Sequence, residues 1–214
     1  MKPTPLATKT AILRSLGNLV RGLSAVFWGI PLTLVDYTDA WRGFEQGEDP
    51  LSDRWEVPFH PSYEDKSGVP DRVLYKLTGA ECEASLRCWT GVFQDVRERF
   101  QPDLLHLHHL THAQVAAARL FPSVPKLTQL HGTELKMLER LDELSEELGG
   151  PDELGQLARG ILTDAVDTTN HFAAISPDIR ERAVARFAID EKCISTIPNG
   201  VDTSLFRPLD WSAD

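Results

Sequence analysis

Short apolar runs and helical segments alternate through the second half of this chain, and this alternation restricts the fold more than any other feature. The runs of strand type are Leu104–His108, Lys126–His131, Phe172–Ile175 and Ile194–Ile197. Strands separated by helices form parallel sheets, because each helix carries the chain back to the start of the next strand. The pattern therefore predicts an α/β fold with a doubly wound parallel sheet and helices on both faces.

The segments between the runs carry helical signals of their own. Ala113–Phe121 is rich in alanine, and Leu135–Leu148 and Leu154–Thr169 have leucines or small residues at helical spacing. Ser176 and Pro177 supply an N-cap and a first-turn proline for the helix that precedes the last strand. Each predicted strand is thus joined to the next by at least one helix.

The N-terminal third is organised differently. Thr8–Phe27 has apolar residues at intervals of three and four, which predicts an amphipathic helix, and Leu32–Val35 reads as a strand. Residues 37–71 show no period and are rich in Pro, Gly, Asp and Glu, which predicts an irregular excursion. A further helix is predicted to end at Phe100, before Pro102.

Composition narrows the classes of partner. The formal net charge is -10, which disfavours nucleic acid and anionic membranes, because both reward clustered Lys and Arg. No transmembrane segment is predicted. Cys82, Cys88 and Cys193 form no metal-type pair, and reduced thiols in a cytoplasmic protein are the simplest interpretation. A sugar or another small molecule fits these observations better.

Three clusters of polar residues follow predicted strands. They read "LHLHHLTH", "LHGTE" and "IPNGVD", and they come after the first, second and last of the four runs. The carboxyl ends of parallel strands meet at one edge of the sheet, where open α/β folds bind their ligands. The sequence therefore predicts a single site at this edge.

These clusters, in this order, resemble the N-terminal half of the retaining glycosyltransferases of family 4, which have the GT-B fold of two facing Rossmann-like domains. The matching segments are "PDLLHLHHLTHAQ", "LTQLHGTELKML", "FAAISPDIRERA" and "IPNGVDTSLFRPL", and the resemblance also covers Ile12–Val35. It implies transfer of a sugar from a nucleotide-sugar donor, held mainly by the C-terminal domain, to an acceptor held mainly by the N-terminal domain, with retention.

The resemblance also implies a domain organisation. Residues 1–208 correspond to one Rossmann-like domain that includes the excursion at 37–71, and residues 209–214 correspond to the start of the interdomain linker. The opening "MKPTPLATKT" lacks the family's first strand and Gly-Gly loop, and no donor half follows. We therefore expect transfer to need a C-terminal donor domain in cis or in trans, and the isolated chain to be an incomplete transferase.

By the same resemblance, His131 corresponds to the family histidine beside the donor sugar, and we predict it to be catalytic. The residues predicted to bind substrate are His108, His109, Thr133, Glu134, Asn199 and Asp202. The residues alone leave simpler interpretations open: His131 as a strand-end histidine, Thr133 as a helix cap, and Asn199-Gly200 as a turn. No cofactor and no metal are expected.

Two other functions remain open at this stage. The chain could be a non-catalytic interaction module, or a subunit of a split transferase, with the acidic helix at 135–148 as a docking surface. The histidines of "LHLHHLTH" also resemble zinc-binding hydrolase sites, but Thr111 stands where such sites usually have Asp before the later histidine, His112.

Overall fold

The computed structural model of the protein describes residues 38–48, 72–148, 153–203 and 206. The predicted helix Thr8–Phe27 and the predicted strand Leu32–Val35 lie outside these residues. In chain order, the described elements are α1 (Thr38–Glu45), a 3-10 turn (Leu74–Lys76), α2 (Gly79–Arg99), β1 (Leu105–His108), α3 (His112–Leu120), β2 (Lys126–Leu130), α4 (Thr133–Leu148), α5 (Glu153–Asp167), β3 (His171–Ala174), α6 (Pro177–Phe187), a 3-10 turn (Glu191–Cys193) and β4 (Ile194–Thr196).

The four strands form one parallel sheet in the order β1-β2-β3-β4. The register pairs Leu105 with Lys126, Leu127 with His171, and Phe172 with Ile194. The predicted α/β class and the parallel sheet are confirmed, and the four predicted strands within the described residues begin and end within one residue of the observed strands. Each described strand lies next to the one before it in the chain, so the strand order does not reverse within the described residues.

The two faces of this sheet differ in chemistry. Alternation along the strands places Leu105, Leu130, Phe172 and Ile194 on one face, and all four are buried. The other face carries mostly polar or less buried side chains, among them His106, His108, Leu127, Gln129, His171 and Ser195. Helices α2 to α6 contribute side chains that pack with the apolar face.

Two apolar clusters fill the space between the helices and the apolar face. The larger joins Leu130, Phe172 and Ile194 to residues of α4, α5 and α6, including the small residues Ala158, Ala165 and Ala183. The smaller joins Leu105 to Ala117 and Phe121, with Phe93 of α2 edge-on to Phe121 at 6.4 Å between ring centroids. Burial of this apolar surface is the main stabilising contribution to the fold.

Two parts of the fold differ from the sequence prediction. Helix α1 lies inside the range predicted to be irregular, so that prediction is wrong for Thr38–Glu45. Its eight residues are too few to show a helical period. The segment before α2 also enters the core, because Val73, Leu74 and Leu77 are buried. Thr78 then starts α2 through a capping box with Glu81.

The acidic face of α4 is partly paired within the chain. Glu139 binds Arg182 of α6, and Asp142 binds both Arg159 of α5 and Arg186 of α6. These ion pairs join three helices and use charges that a basic partner would need. Within the described ranges, no helix has both the length and the apolar character needed to cross a membrane.

Candidate functional site

Three histidine rings meet where β1 and β2 end. His108 closes β1 and His131 follows β2, and because the strands are neighbours, His108 Nδ1 lies 2.9 Å from His131 Nε2. The ring of His109 lies 4.7 Å from that of His131, and the ring of His106 lies 4.8 Å from that of His108, between centroids. The predicted residues His108, His109 and His131 are thus brought together at the carboxyl edge of the sheet.

The backbone of His109 adopts an unusual conformation. Its φ is 63°, in the left-handed region that side chains with a Cβ rarely adopt. Its N–H donates to the Gln129 carbonyl at 3.0 Å, and its own carbonyl accepts a hydrogen bond from Gln114 Nε2. Backbone contacts to β2 and α3 therefore hold the strained residue in place.

The side chain of His109 points to the start of α4. Its Nδ1 lies 2.9 Å from Glu134 Oε1 and 3.1 Å from Thr133 Oγ1. Glu134 is fully buried, whereas the His109 side chain is 27% exposed. The second carboxylate oxygen, Glu134 Oε2, is buried and has no hydrogen-bond partner among the described residues. Three predicted residues, His109, Thr133 and Glu134, therefore form one hydrogen-bonded group.

Gly132 sets the geometry of the turn between β2 and α4. Its φ is 87°, and a Cβ at this position would lie 2.5 Å from Ile179 Cδ1. Its carbonyl accepts from the Lys136 N–H at 3.2 Å, so Gly132 occupies the N-cap position. Thr133 is the first helical residue instead of the cap that the sequence suggested.

The surroundings of two rings, His108 and His131, favour their neutral form. Burial lowers the pKa of His108, and His106, His131 and His109 lower it further because their positive charges would repel. Burial also lowers the pKa of His131; His109 adds to this shift, Glu134 opposes it, and His106 adds a smaller decrease. A neutral imidazole offers one donor and one acceptor nitrogen.

His112 lies close by in sequence but plays a different structural part. It is the first residue of α3, after the N-cap Thr111, and it is only 4% exposed. Neither of its ring nitrogens has a hydrogen-bond partner among the described residues. Burial lowers the pKa of His112 to about 4. A buried neutral ring of this kind belongs to the packing of α3.

The last two predicted residues follow a different strand from the histidines. Asn199 and Asp202 come after β4 and are exposed. Strand β4 is two strands away from β2, so the two strands lie on the order of 10 Å apart. Asn199 and Asp202 therefore follow the carboxyl end of β4, at the same edge of the sheet as the histidine cluster.

The histidines do not form a recognisable metal centre. Within residues 38–48, 72–148 and 153–203, no group of three or more His, Cys, Asp or Glu side chains could hold a metal ion. The zinc-hydrolase interpretation therefore has no ligand set among the described residues. That transfer needs no metal stays a prediction.

One residue of the site escaped the sequence prediction. Gln114 accepts from the Thr111 N–H at 2.9 Å and donates to the carbonyls of His108 and His109, so it ties the end of β1 to the start of α3. The spacing "THAQ" is a capping box, and this signal is readable from the sequence. The hydrogen bonds to the two carbonyls depend on the left-handed turn at His109, which the sequence does not show.

Comparison with known proteins places the chain in a family. A search of curated proteins finds no match. A family model described as Glycosyltransferase Family 4 matches residues 14–205, which is most of the chain and includes every residue of the histidine cluster. The predicted resemblance is confirmed at this level, and the chain belongs to Glycosyltransferase Family 4.

Proposed function

We propose that this chain is the N-terminal, acceptor-side domain of a retaining GT-B glycosyltransferase that takes its sugar from a nucleotide-sugar donor. The observation that carries the proposal is the contact between His108 and His131 at the carboxyl edge of adjacent strands. In a family of glycosyltransferases, this is where a parallel α/β sheet would receive a sugar. Neutral imidazoles suit sugar hydroxyls, because they donate and accept hydrogen bonds at once.

His131 is the residue we propose as catalytic. The lowered pKa keeps its ring neutral near pH 7, so the ring orients the donor sugar and stabilises charge without acting as a nucleophile. This role suits a front-face substitution through an oxocarbenium-like transition state. His108, whose ring touches His131, and His109 with Thr133 would contact acceptor hydroxyls.

Asn199 and Asp202 would lie at the rim of the cleft, on the side from which a second domain approaches. We propose that the phosphates and base of the donor are held by a C-terminal GT-B domain, in cis or in trans. Cys82, Cys88 and Cys193 form no disulfide with one another, which supports a cytoplasmic location. An interaction module that docks through α4 is less well supported, because Glu139 and Asp142 already pair within the chain.

The test supplies a donor domain from Glycosyltransferase Family 4 and measures release of nucleoside diphosphate from a panel of UDP- and GDP-hexoses. We expect His131→Ala to reduce kcat by about 10²–10³-fold, the usual loss when one group that stabilises transition-state charge is removed. His171→Ala is the matched control, because His171 starts β3 and binds Ser195 away from the carboxyl edge.

Two results would contradict the proposal. Unchanged turnover in a folded His131→Ala variant would remove the catalytic assignment. If no family donor domain restored release of the nucleotide, the transferase assignment itself would fail. The anomeric configuration of the product, read by proton NMR, decides retention separately.

A further inference from the structure

Glu134 combines two properties that do not suit a residue in contact with a sugar. Its side chain is fully buried, so no ligand in the cleft reaches the carboxylate in this conformation. It also leaves Oε2 without a hydrogen-bond partner among the described residues, while Oε1 binds the ring of His109. A buried carboxylate is stable only when it is well paired, and the start of α4 contributes favourable backbone dipoles.

The contact with Glu134 fixes the proton on His109. A carboxylate oxygen accepts hydrogen bonds, so the contact assigns the hydrogen to Nδ1 of His109 and leaves Nε2 as the ring nitrogen that faces away from Glu134. Thr133 Oγ1, at 3.1 Å from the same Nδ1, is a second acceptor. The ring therefore has one tautomer and one orientation.

The backbone of His109 shows that the fold maintains this orientation against strain. The left-handed conformation is unfavourable for a residue with a Cβ, yet contacts from Gln114 and Gln129 hold it there. Without the left-handed turn, the chain would leave β1 in another direction. Strain of this kind tends to persist at functional sites.

The fixed ring of His109 lies against the ring of His131. The centroids of the two rings are 4.7 Å apart, and the His131 ring also lies 5.2 Å from that of His108. We infer that Glu134 is a positioning residue that holds His109 in the Nδ1–H tautomer and does not itself bind the sugar. In this tautomer His109 supports His131 and presents Nε2 as an acceptor. The kinetic part of this inference rests on the proposed transferase function, whereas the tautomer does not.

The first experiment needs no activity. Long-range proton–nitrogen NMR spectra of the whole chain report which ring nitrogen of each histidine carries hydrogen, and His109→Asn, whose side chain tolerates the left-handed turn, assigns the His109 signals. We expect His109 as the Nδ1–H tautomer in the native chain. In Glu134→Leu, which keeps much of the volume and removes the acceptor, we expect a mixture of tautomers.

A matched control removes a charge elsewhere on the same helix. Glu146 is exposed on α4, and Glu146→Gln is expected to leave the His109 signals unchanged. A native chain with His109 in the Nε2–H tautomer would overturn the inference without any variant. The same tautomer populations in folded Glu134→Leu and in the native chain would also overturn it.

The second experiment uses the completed transferase. Because Glu134 acts through His109, we expect Glu134→Leu to lower kcat about 10–100-fold, as loss of a supporting partner commonly does, with acceptor KM within about threefold. Glu134→Leu and His109→Asn should lower kcat to a similar extent, and the kcat of the double variant should be no lower than that of either alone.

Kinetic results separate the two proposals. A raised KM at constant kcat would show that Glu134 binds substrate directly, and additive losses would show that it acts independently of His109; both overturn the inference. An inactive native enzyme would overturn the proposed function alone, because the NMR result still decides the role of Glu134.

Discussion

The two ends of strand β2 each lie beside a buried charged side chain, Lys126 where the strand begins and Glu134 shortly after it ends. Lys126 Nζ donates to the carbonyls of Phe121 and Val124 at 2.9 and 2.8 Å, so its charge is satisfied by the backbone of the preceding turn. Glu134 binds the imidazole of His109 through Oε1 and leaves Oε2 unpaired among the described residues.

The difference separates a structural charge from a functional one. At the start of β2 the contacts close a turn between α3 and the strand, and nothing there leads to a cleft. At the end of β2 the chain has two residues with positive φ, His109 and Gly132, and rings that touch one another. Strain and incomplete pairing at one end, against full pairing at the other, indicate where the fold sacrifices stability for function.

The largest stability effect is expected at His112, which lies at the start of α3, near the carboxyl end of β1. Its pKa is about 4 in the folded chain and about 6.5 when unfolded, so the unfolded state binds more protons between these values. Stability is therefore complete above pH 6.5 and falls as the pH drops toward 4, by at most roughly 3 kcal/mol.

Urea unfolding at several pH values measures this loss. His112→Leu removes the titrating group, so the slope of stability between pH 4 and 6.5 should be shallower than in the native chain. The remaining slope belongs to other groups, including His108 and His131, whose pKa values are also lowered. An identical slope in both proteins would contradict the account of His112.

Gly132→Ala should come next, with a loss of about 2 kcal/mol from backbone strain and overlap with Ile179. Because this turn carries His131, the variant should also shift the NMR signals of His131 and His109. Gly160 is a helical position where a Cβ meets nothing within 4 Å, so Gly160→Ala should be neutral or stabilising. Equal changes in the free energy of unfolding for the two substitutions would show that Gly132 has no special conformational role.

Lys126→Met tests the other end of β2. We expect a loss of about 1–2 kcal/mol, because two buried carbonyls lose a donor while the cost of burying the ammonium disappears. The histidine signals should not move. Lys136→Met, at an exposed position of α4, is the control for loss of a lysine. A shift of the His131 NMR signals in Lys126→Met would contradict the distinction between the two ends of β2.

The smallest effect is expected at Asp142, which lies at neither end of β2. Asp142→Asn weakens partly exposed pairs with Arg159 and Arg186, so we expect a loss below about 1 kcal/mol that shrinks in high salt. Thermal unfolding at low and high ionic strength measures it. A loss as large as that of Gly132→Ala would mean that the α4–α6 ion pairs, and not the turn, control stability here.

Much of this fold is readable from local sequence. The strands around His108 and His131 follow from apolar runs that turns interrupt, and Ser176 with Pro177 caps α6 as predicted. The clustering of the histidines follows from the rule that parallel strands end at one edge. Local patterns suffice wherever burial has a regular period.

The parts that escaped prediction depend on contacts distant in sequence. Helical spacing places Glu134 on the same face as the buried Leu138 and Leu141, but an acidic side chain favours solvent, and its partner His109 is distant in sequence. The left-handed turn at His109 requires Gln114 and Gln129 together. Leu74 and Leu77 lie in a segment without a period, so their burial could not be predicted from spacing.

The close approach between Gly132 and Ile179 has a consequence for relatives of this chain. Ile179 belongs to α6, so the turn after β2 is packed against a helix that follows β3 in the sequence. Any side chain at position 132 needs both a left-handed backbone and space that Ile179 now fills. We therefore expect the two positions to covary during evolution, with substitutions at 132 accepted only in lineages that carry a smaller residue at 179.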